Sequence, residues 1–477
     1  MENANRDGFG SNFGFIMAAV GSAVGLGNIW GFPYKMGLNG GFAFLLVYLC
    51  LAVFVGLAVM VGELVIGRKT GLSPIAAYRK ISSKFAWVGV MAVICPFLVL
   101  CFYFVLGGMV MRYALGYLTA MFGWSTWGVA DISTFFSTFI CNGASMVIWT
   151  AIFIALNAII VAAGVGGGIE KFCNIGMPAL FIMLLIIIVY VLCQPGAAGG
   201  YKFMFGFNVE PLKNDFLTVL KTAAGQMFFS LSLGMGAIIT YGSYLSKKES
   251  IQKNAVIIVI CDTVVAIMAG MIVMPACYAF LDGNTAGGPG LLFASMQMVF
   301  ANMGGFIGNL MGFMFYFLVF IAAISSSMSL LEAITAAKVD ANVENGKAPD
   351  RRRTALIFAI IIFFFCLPTA LDGLGSGIAG GAAIPYPAEM LGIEVKGWSC
   401  DWLDFYDMLS EGIMMPLGAL IMSFAIGWIW KLDMVVEECE SSGIGFWGKG
   451  FFNLCYKFIT PIGMLVVLYG QITSFFG

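Results

Sequence analysis

The feature that most limits what this chain can fold into is the repetition of long apolar runs. They fall at 13–36, 42–67, 86–121, 145–164, 174–193, 216–245, 254–281, 306–337, 354–371, 405–430 and 451–475. Crossing a hydrocarbon layer as a helix takes about 20 apolar residues. A membrane β-barrel would need alternating segments of roughly ten residues, and these runs are neither short nor alternating. The expected fold is therefore an all-α polytopic membrane protein with about eleven transmembrane helices in a single transmembrane domain, 1–477. Composition agrees, with 61% hydrophobic and 10% charged side chains against roughly 25% charged in soluble domains.

Several function classes fall away. Histidine is absent, which removes Ser-His-Asp and Cys-His catalysis and most catalytic zinc sites. With no paired catalytic carboxylates and no nucleophile motif, the chain is not expected to be an enzyme. The twelve cysteines include no C-x-x-C pair; Cys50, Cys95, Cys101, Cys261 and Cys366 lie in apolar runs and read as small hydrophobes. Gly164-x-Gly166-Gly167-Gly168 lacks the G-K-[ST] ending of a phosphate loop and follows a membrane span, so it reads as a turn. A net charge of −1 implies no nucleic-acid partner. Met1 to Gly10 carries no signal-peptide pattern, and no cleavage is expected.

Basic residues set the expected orientation. An N-terminus in the cytoplasm places 18 of the 24 Lys and Arg inside, including Arg68, Lys69, Arg79, Lys80, Lys84 and Arg351 to Arg353. Eleven spans then put the C-terminus outside a cell membrane. The long outer connections 194–214, 283–305 and 372–401 are expected to cap the bundle.

Two spans carry glycine interruptions. The first reads Gly21-Ser22-Ala23-Val24-Gly25-Leu26-Gly27-Asn28, and the sixth reads Ser230-Leu231-Ser232-Leu233-Gly234-Met235-Gly236. Glycine costs about 1 kcal/mol against alanine inside a helix, so these clusters predict unwinding at mid-membrane. Close helix packing through Gly21-x-x-x-Gly25 is the simpler reading of either break alone. Interruptions at matching positions of two halves point instead to a transporter's binding site. Spans 1–5 (13–193) and 6–10 (216–430) are then two five-helix repeats of inverted topology, with 451–475 an additional helix. Freed N–H groups suit a carboxylate, and freed carbonyls and hydroxyls suit a small cation. Asp262 lies deep in the seventh span, where a lone carboxylate calls for a cation, a proton or a distant Arg. Ser325-Ser326-Ser327 add hydroxyls, though serines on a helix often bond only their own backbone. Glu63 reads as structural or interfacial, and Glu332 has no assigned role.

The segments Gly21 to Trp30, Phe32-Pro33-Tyr34 and Asn39-Gly40-Gly41 closely resemble the first-helix signature of the neurotransmitter:sodium symporter family. Gly225 to Ser232 and Ile238-Ile239-Thr240-Tyr241 resemble its sixth helix. The resemblance covers nearly the whole chain and implies the bacterial, eleven-helix amino-acid transporter branch with the leucine-transporter fold. It implies a sodium-coupled symporter that imports an L-amino acid by alternating access, with one or two Na⁺ ions in two sites. A receptor or channel-like protein on the same fold is the alternative. Lipid is the other partner expected; an oligomer is possible but not implied.

The resemblance also implies residue roles. The first sodium site would use Ala23, Asn28, Ser230 and Asp262. The second would use Gly21, Val24, Ala322, Ser325 and Ser326. Substrate would meet Ala23, Gly25, Leu26, Gly27, Tyr103, Phe229, Ser230 and Ser232, with Val99, Phe229, Met235, Ser326 and Leu330 around its side chain. Gly25 stands where monoamine carriers place Asp, which implies an amino acid, and the flexible Gly234-Met235-Gly236 wall favours a bulky apolar or aromatic one. Asp262 stands where many members have Asn, which implies chloride independence. Tyr103 and Phe229 would form the outer gate, and Arg6, Phe9, Tyr244 and Asp340 the inner one. One departure is Gly31, where the family motif has Arg. Lys35, one turn on, is expected to reach Asp407 or Asp404 instead.

Overall fold

The computed structural model describes residues 8–124, 132–284, 289–375, 385, 387, 390, 392 and 401–476. Among these residues, nine unbroken helices are long and apolar enough to cross a membrane: Phe42–Thr70, Ser83–Met121, Gly143–Ala162, Val165–Leu192, Ile251–Phe280, Gly305–Glu344, Arg351–Leu371, Trp402–Ile429 and Lys449–Thr473. A tenth span is the pair Asn12–Ala23 and Gly27–Leu38, bent by 51°. The expected sixth span is also split, into Phe216–Ser230 and Ala237–Gly242. Each half is too short to cross alone. Together these segments account for the eleven apolar runs.

Helix starts follow local chemistry. Ser11, Asn142, Asp215, Ser250, Asp350 and Asp401 each accept the backbone N–H three residues on, a cap that contributes about 1 kcal/mol. Asp215, exposed at its cap, is held below the usual carboxylate range by its hydrogen bonds with Thr218. The Gly164 run turns as expected: Gly164 takes φ 96° and the fifth span begins at once.

The two longest helices, Ser83–Met121 and Gly305–Glu344, pack along each other and form a wall. The broken first span lies against the eighth, fifth and seventh spans, and the sixth against the second and eleventh. The breaks thus sit at the centre of the bundle. Two of the long connections carry short helices packed on the spans. Residues 194–214 carry the short helices Ala197–Phe205 and Glu210–Asn214, and 283–305 carries Met296–Met303. The third, 372–401, lies largely outside the described residues. Of the cysteines named above, Cys50 is exposed and Cys261 half-buried on the bundle's outer surface, because apolar side chains there meet lipid rather than core.

Candidate functional site

The two breaks are built differently. In the first span the helix stops at Ala23, Val24 is extended (φ −73°, ψ 105°), and winding resumes at Gly27. The exposed N–H groups are capped from outside: Asn28 Oδ1 accepts from Gly25 N at 3.0 Å, and Tyr103 Oη accepts from Leu26 N at 3.0 Å. Freed carbonyls are met in turn. Ser326 Oγ donates to the Gly21 and Val24 carbonyls at 3.2 and 3.0 Å, and Ser232 Oγ to the Ser22 carbonyl at 2.8 Å. In the sixth span Ser232, Gly234 and Gly236 take φ of 53°, 77° and 72°. That left-handed backbone is available to glycine at little cost. Gly234 N donates to Glu63 Oε1 at 2.7 Å.

Four side chains converge beside the breaks. Asp262 is fully buried and accepts from Asn28 Nδ2 at 2.7 Å and from Ser230 Oγ at 2.8 Å, with Tyr48 Oη at 3.3 Å. Asn28, Ser230 and Asp262 thus meet as expected, next to Ala23 in the same break. The Asn28 side-chain oxygen satisfies the Gly25 N–H that the break exposes, and its amide N–H groups face Ser230 and Asp262. Half a turn of this amide would present the oxygen. A second oxygen cluster lies across the first break: the Gly21 and Val24 carbonyls with Ser326, and Ser325 Oγ donating to the Ala322 carbonyl at 3.0 Å. Every donor available in the two clusters is oxygen, the chemistry a small hard cation takes.

Ten of the twelve residues expected around substrate line one cavity: Ala23, Gly25, Gly27, Val99, Tyr103, Phe229, Ser232, Met235, Ser326 and Leu330. Leu26 reaches it through its bond to Tyr103, and Ser230 belongs to the Asp262 group. The cavity is tight, about 10 Å³. A Cβ at Gly25 would fall 2.6 Å from both Ser326 Oγ and Tyr103 Oη, and one at Gly27 2.6 Å from the Phe229 ring. The Tyr103 and Phe229 rings lie 6.4 Å apart between this cavity and a larger outer one of about 380 Å³, which Phe229 and Gly27 also line.

On that side a correction applies. The direct partner of Lys35 is neither Asp404 nor Asp407: its Nζ bonds Glu411 Oε1 at 2.5 Å, while its charge also acts on Asp407. Side chains on a helix lean toward its N-terminus, so Lys35 points back down the first span, to the acid one turn deeper in the tenth. At the opposite end of the bundle Phe9 packs edge-on against Phe15, Tyr241 and Tyr244, and Asp340 accepts from Ser73 N at 2.7 Å. Arg6 lies outside the described residues.

Several residues here escaped the sequence reading. Glu332 is fully buried between Tyr244 Oη at 2.6 Å and Arg351 Nη2 at 2.5 Å. Glu63 is structural, but at the sixth-span break rather than at an interface. Both were ionisable residues inside spans, which was the signal. Tyr48 was a lone hydroxyl in an apolar run, a weak one. Ser22 bonds Ser329 at 2.7 Å and gave no signal of its own.

The family model described as the sodium:neurotransmitter symporter family matches residues 6–144 and 140–378. The chain belongs to that family. As a symporter of this family it is a sodium-dependent, multi-pass membrane transporter and not an enzyme. It is 32% identical to the uncharacterised sodium-dependent transporter YhdH of Bacillus subtilis over 468 residues, 96% of each chain. A sodium-dependent transporter of Haemophilus influenzae is 31% identical over 98% of each chain. Among solved structures, MhsT in complex with L-phenylalanine superposes with a TM-score of 0.84 at 35% identity, covering 98% of this chain and 100% of that one.

Proposed function

We propose that this symporter imports an L-amino acid with a bulky apolar or aromatic side chain, coupled to inward sodium flow. The observation that carries the reading is the convergence of ten expected substrate residues on one cavity between two broken helices. MhsT, similar over its whole length, is known with L-phenylalanine bound, which supports the aromatic class. A Cβ at Gly25 would press on Ser326 Oγ and Tyr103 Oη, and glycine there leaves the α-carboxylate the room that an acidic residue would otherwise take.

The carboxylate meets the N–H groups of Leu26 and Gly27 and the Tyr103 hydroxyl; to bind there it must share or displace the bond from Leu26 to Tyr103. The ammonium meets oxygens of Ala23, Phe229 and Ser232. The first sodium rests among Ala23, Asn28, Ser230, Asp262 and the substrate carboxylate, so substrate and ion bind better together than apart. Asp262 brings its own negative charge beside Tyr48 and Ser230, which makes transport independent of chloride. The second sodium joins the inner half of the first span to the eighth through Gly21, Val24, Ala322, Ser325 and Ser326. Its departure inward frees that half-helix to swing. A ligand moves such an equilibrium only by its unequal affinity for the two states. Each sodium charge crossing 100 mV supplies about 2.3 kcal/mol.

We take 13–193 and 216–430 as the two repeats that move against each other, 451–475 as peripheral, and the N-terminus as cytoplasmic with the C-terminus outside. Tyr103 over Phe229 closes the outer path; Phe9, Tyr244, Asp340 and Arg6 close the inner one. The test is uptake of labelled amino acids by vesicles containing the purified protein. Accumulation of aromatic amino acids under an inward sodium gradient, unchanged when gluconate replaces chloride, is expected. Binding without accumulation, or accumulation without sodium, would contradict the reading.

A further inference from the structure

A lysine inside the eleventh span plays no part in the transport reading. That span, Lys449–Thr473, is 25 residues long, about 37 Å as a helix against roughly 30 Å of hydrocarbon. The Lys457 backbone lies about 12 Å along it from Lys449, below the surface of the apolar layer. Its neighbour Phe458 is exposed, as are Phe424 and Trp428 on the tenth span, and in a membrane that surface meets lipid. A charge at such a position is costly. Side chains on a helix lean toward its N-terminus, so the Lys457 stem rises toward the headgroups.

The structure shows where the ammonium ends. Lys457 Nζ lies over the Trp428 ring, 5.6 Å from its centroid. Trp428 is the residue before the end of the span Trp402–Ile429, the level at which an indole sits among headgroups. This placement is rigid. Both spans widen into a π turn where they meet, Ala425–Ile429 and Cys455–Ile459. A Cβ at Gly427 would fall 2.8 Å from the Tyr456 carbonyl oxygen, so the two backbones touch. Trp428 Nε1 donates to the Lys457 carbonyl at 3.2 Å, and its ring meets Phe458 edge-on. Among the described residues no ion pair engages Lys457, whereas Lys449 at the start of the same span meets Glu440 at 3.9 Å. Below the ammonium, exposed Phe458, Ile462 and Leu465 follow one helix face into the membrane.

We propose that the surface where the tenth and eleventh spans meet binds one anionic phospholipid, with its phosphate on Lys457 Nζ beside Trp428 and its acyl chains along Phe424, Phe458, Ile462 and Leu465. The lysine supplies the opposite charge, the indole an aromatic shelf, and the stripe an apolar bed. A zwitterionic lipid carries its own cation beside the phosphate and gains less from Lys457. This does not depend on which amino acid is transported.

The test is thermal unfolding of the purified, delipidated full-length protein in an uncharged detergent at fixed sodium. It is titrated with phosphatidylglycerol, with phosphatidylcholine of the same acyl chains, and with inorganic phosphate. Phosphatidylglycerol should raise the midpoint saturably and at lower concentration than phosphatidylcholine, and inorganic phosphate should leave it unchanged. Lys457→Gln should weaken the apparent affinity for phosphatidylglycerol about fivefold and remove its advantage over phosphatidylcholine. Lys84→Gln, an exposed cation elsewhere on the surface, should leave both unchanged. If Lys457→Gln does not fold, Trp428→Leu removes the shelf and should weaken the response likewise. Equal responses to the two lipids in the native sequence would overturn the proposal, as would an undiminished response in whichever site variant folds. An equal loss in Lys84→Gln would assign the effect to diffuse surface charge, and a response to inorganic phosphate to a free anion; either would overturn it too.

Discussion

The two breaks reach the same end by opposite means. The sixth span is interrupted chiefly in its own backbone: three residues take left-handed conformation, two of them glycine, to which it is open at little cost, and Glu63 adds a single cap at Gly234 N. The first span has no such residue between 21 and 28. Its break is held by side chains borrowed from the third and eighth spans, Tyr103 and Ser326, and from Asn28 just beyond. A break fixed by its own backbone is a permanent feature. One held by borrowed caps can be reset when a carboxylate or a cation replaces them. The sixth span therefore serves as the rigid half of the site and the first as the half that responds to ligand.

The contrast can be broken most forcefully at Gly234. Its φ is 77°, and a Cβ would fall 2.5 Å from the Met415 carbonyl oxygen. Gly234→Ala should cost more than about 3 kcal/mol, seen as loss of monodisperse protein on size exclusion; a native-like yield and midpoint would show that the sixth-span break is not locally encoded. Gly25→Ala should behave oppositely. The added methyl presses on two side-chain hydroxyls that can shift, so the protein should fold, while affinity for L-phenylalanine falls about 100-fold, equivalent to ~2.7 kcal/mol. Isothermal titration separates the two outcomes. Asp262→Asn should weaken apparent sodium affinity by about tenfold and make uptake respond to chloride, read by replacing chloride with gluconate. Glu63→Gln keeps an acceptor for Gly234 N but removes the charge; it should lower stability by only about 1 kcal/mol, measured as a small fall in unfolding midpoint.

Much of this was legible because the membrane simplifies the code. With no water to satisfy backbone groups, apolar length maps onto spans and glycine clusters map onto breaks, so all eleven segments and both interruptions could be read directly. The position of Asp262 was legible for the same reason, since a carboxylate at that depth needs a partner. What could not be read is what the breaks borrow. Nothing local marks Ser22 as the partner of Ser329, or Tyr48 as a neighbour of Asp262, because those contacts join spans far apart in sequence. Lys35 illustrates the limit. Helical spacing put it on the right face, but which of three acids it meets depends on how its side chain leans and how the tenth span is rotated. Glu332 was visible as an ionisable residue in a span, but its partner Arg351 looked like ordinary inner-face charge.

The central claim is that the two breaks form one site shared by a zwitterion and sodium. Equilibrium binding of labelled L-phenylalanine to the purified protein, titrated across sodium concentrations with choline holding ionic strength, tests it most directly. Linkage requires that each ligand tighten the other by the same factor. The account predicts that rising sodium lowers the dissociation constant for phenylalanine and that saturating phenylalanine raises sodium affinity equally. Phenylalanine binding that is unchanged from zero to saturating sodium would contradict it.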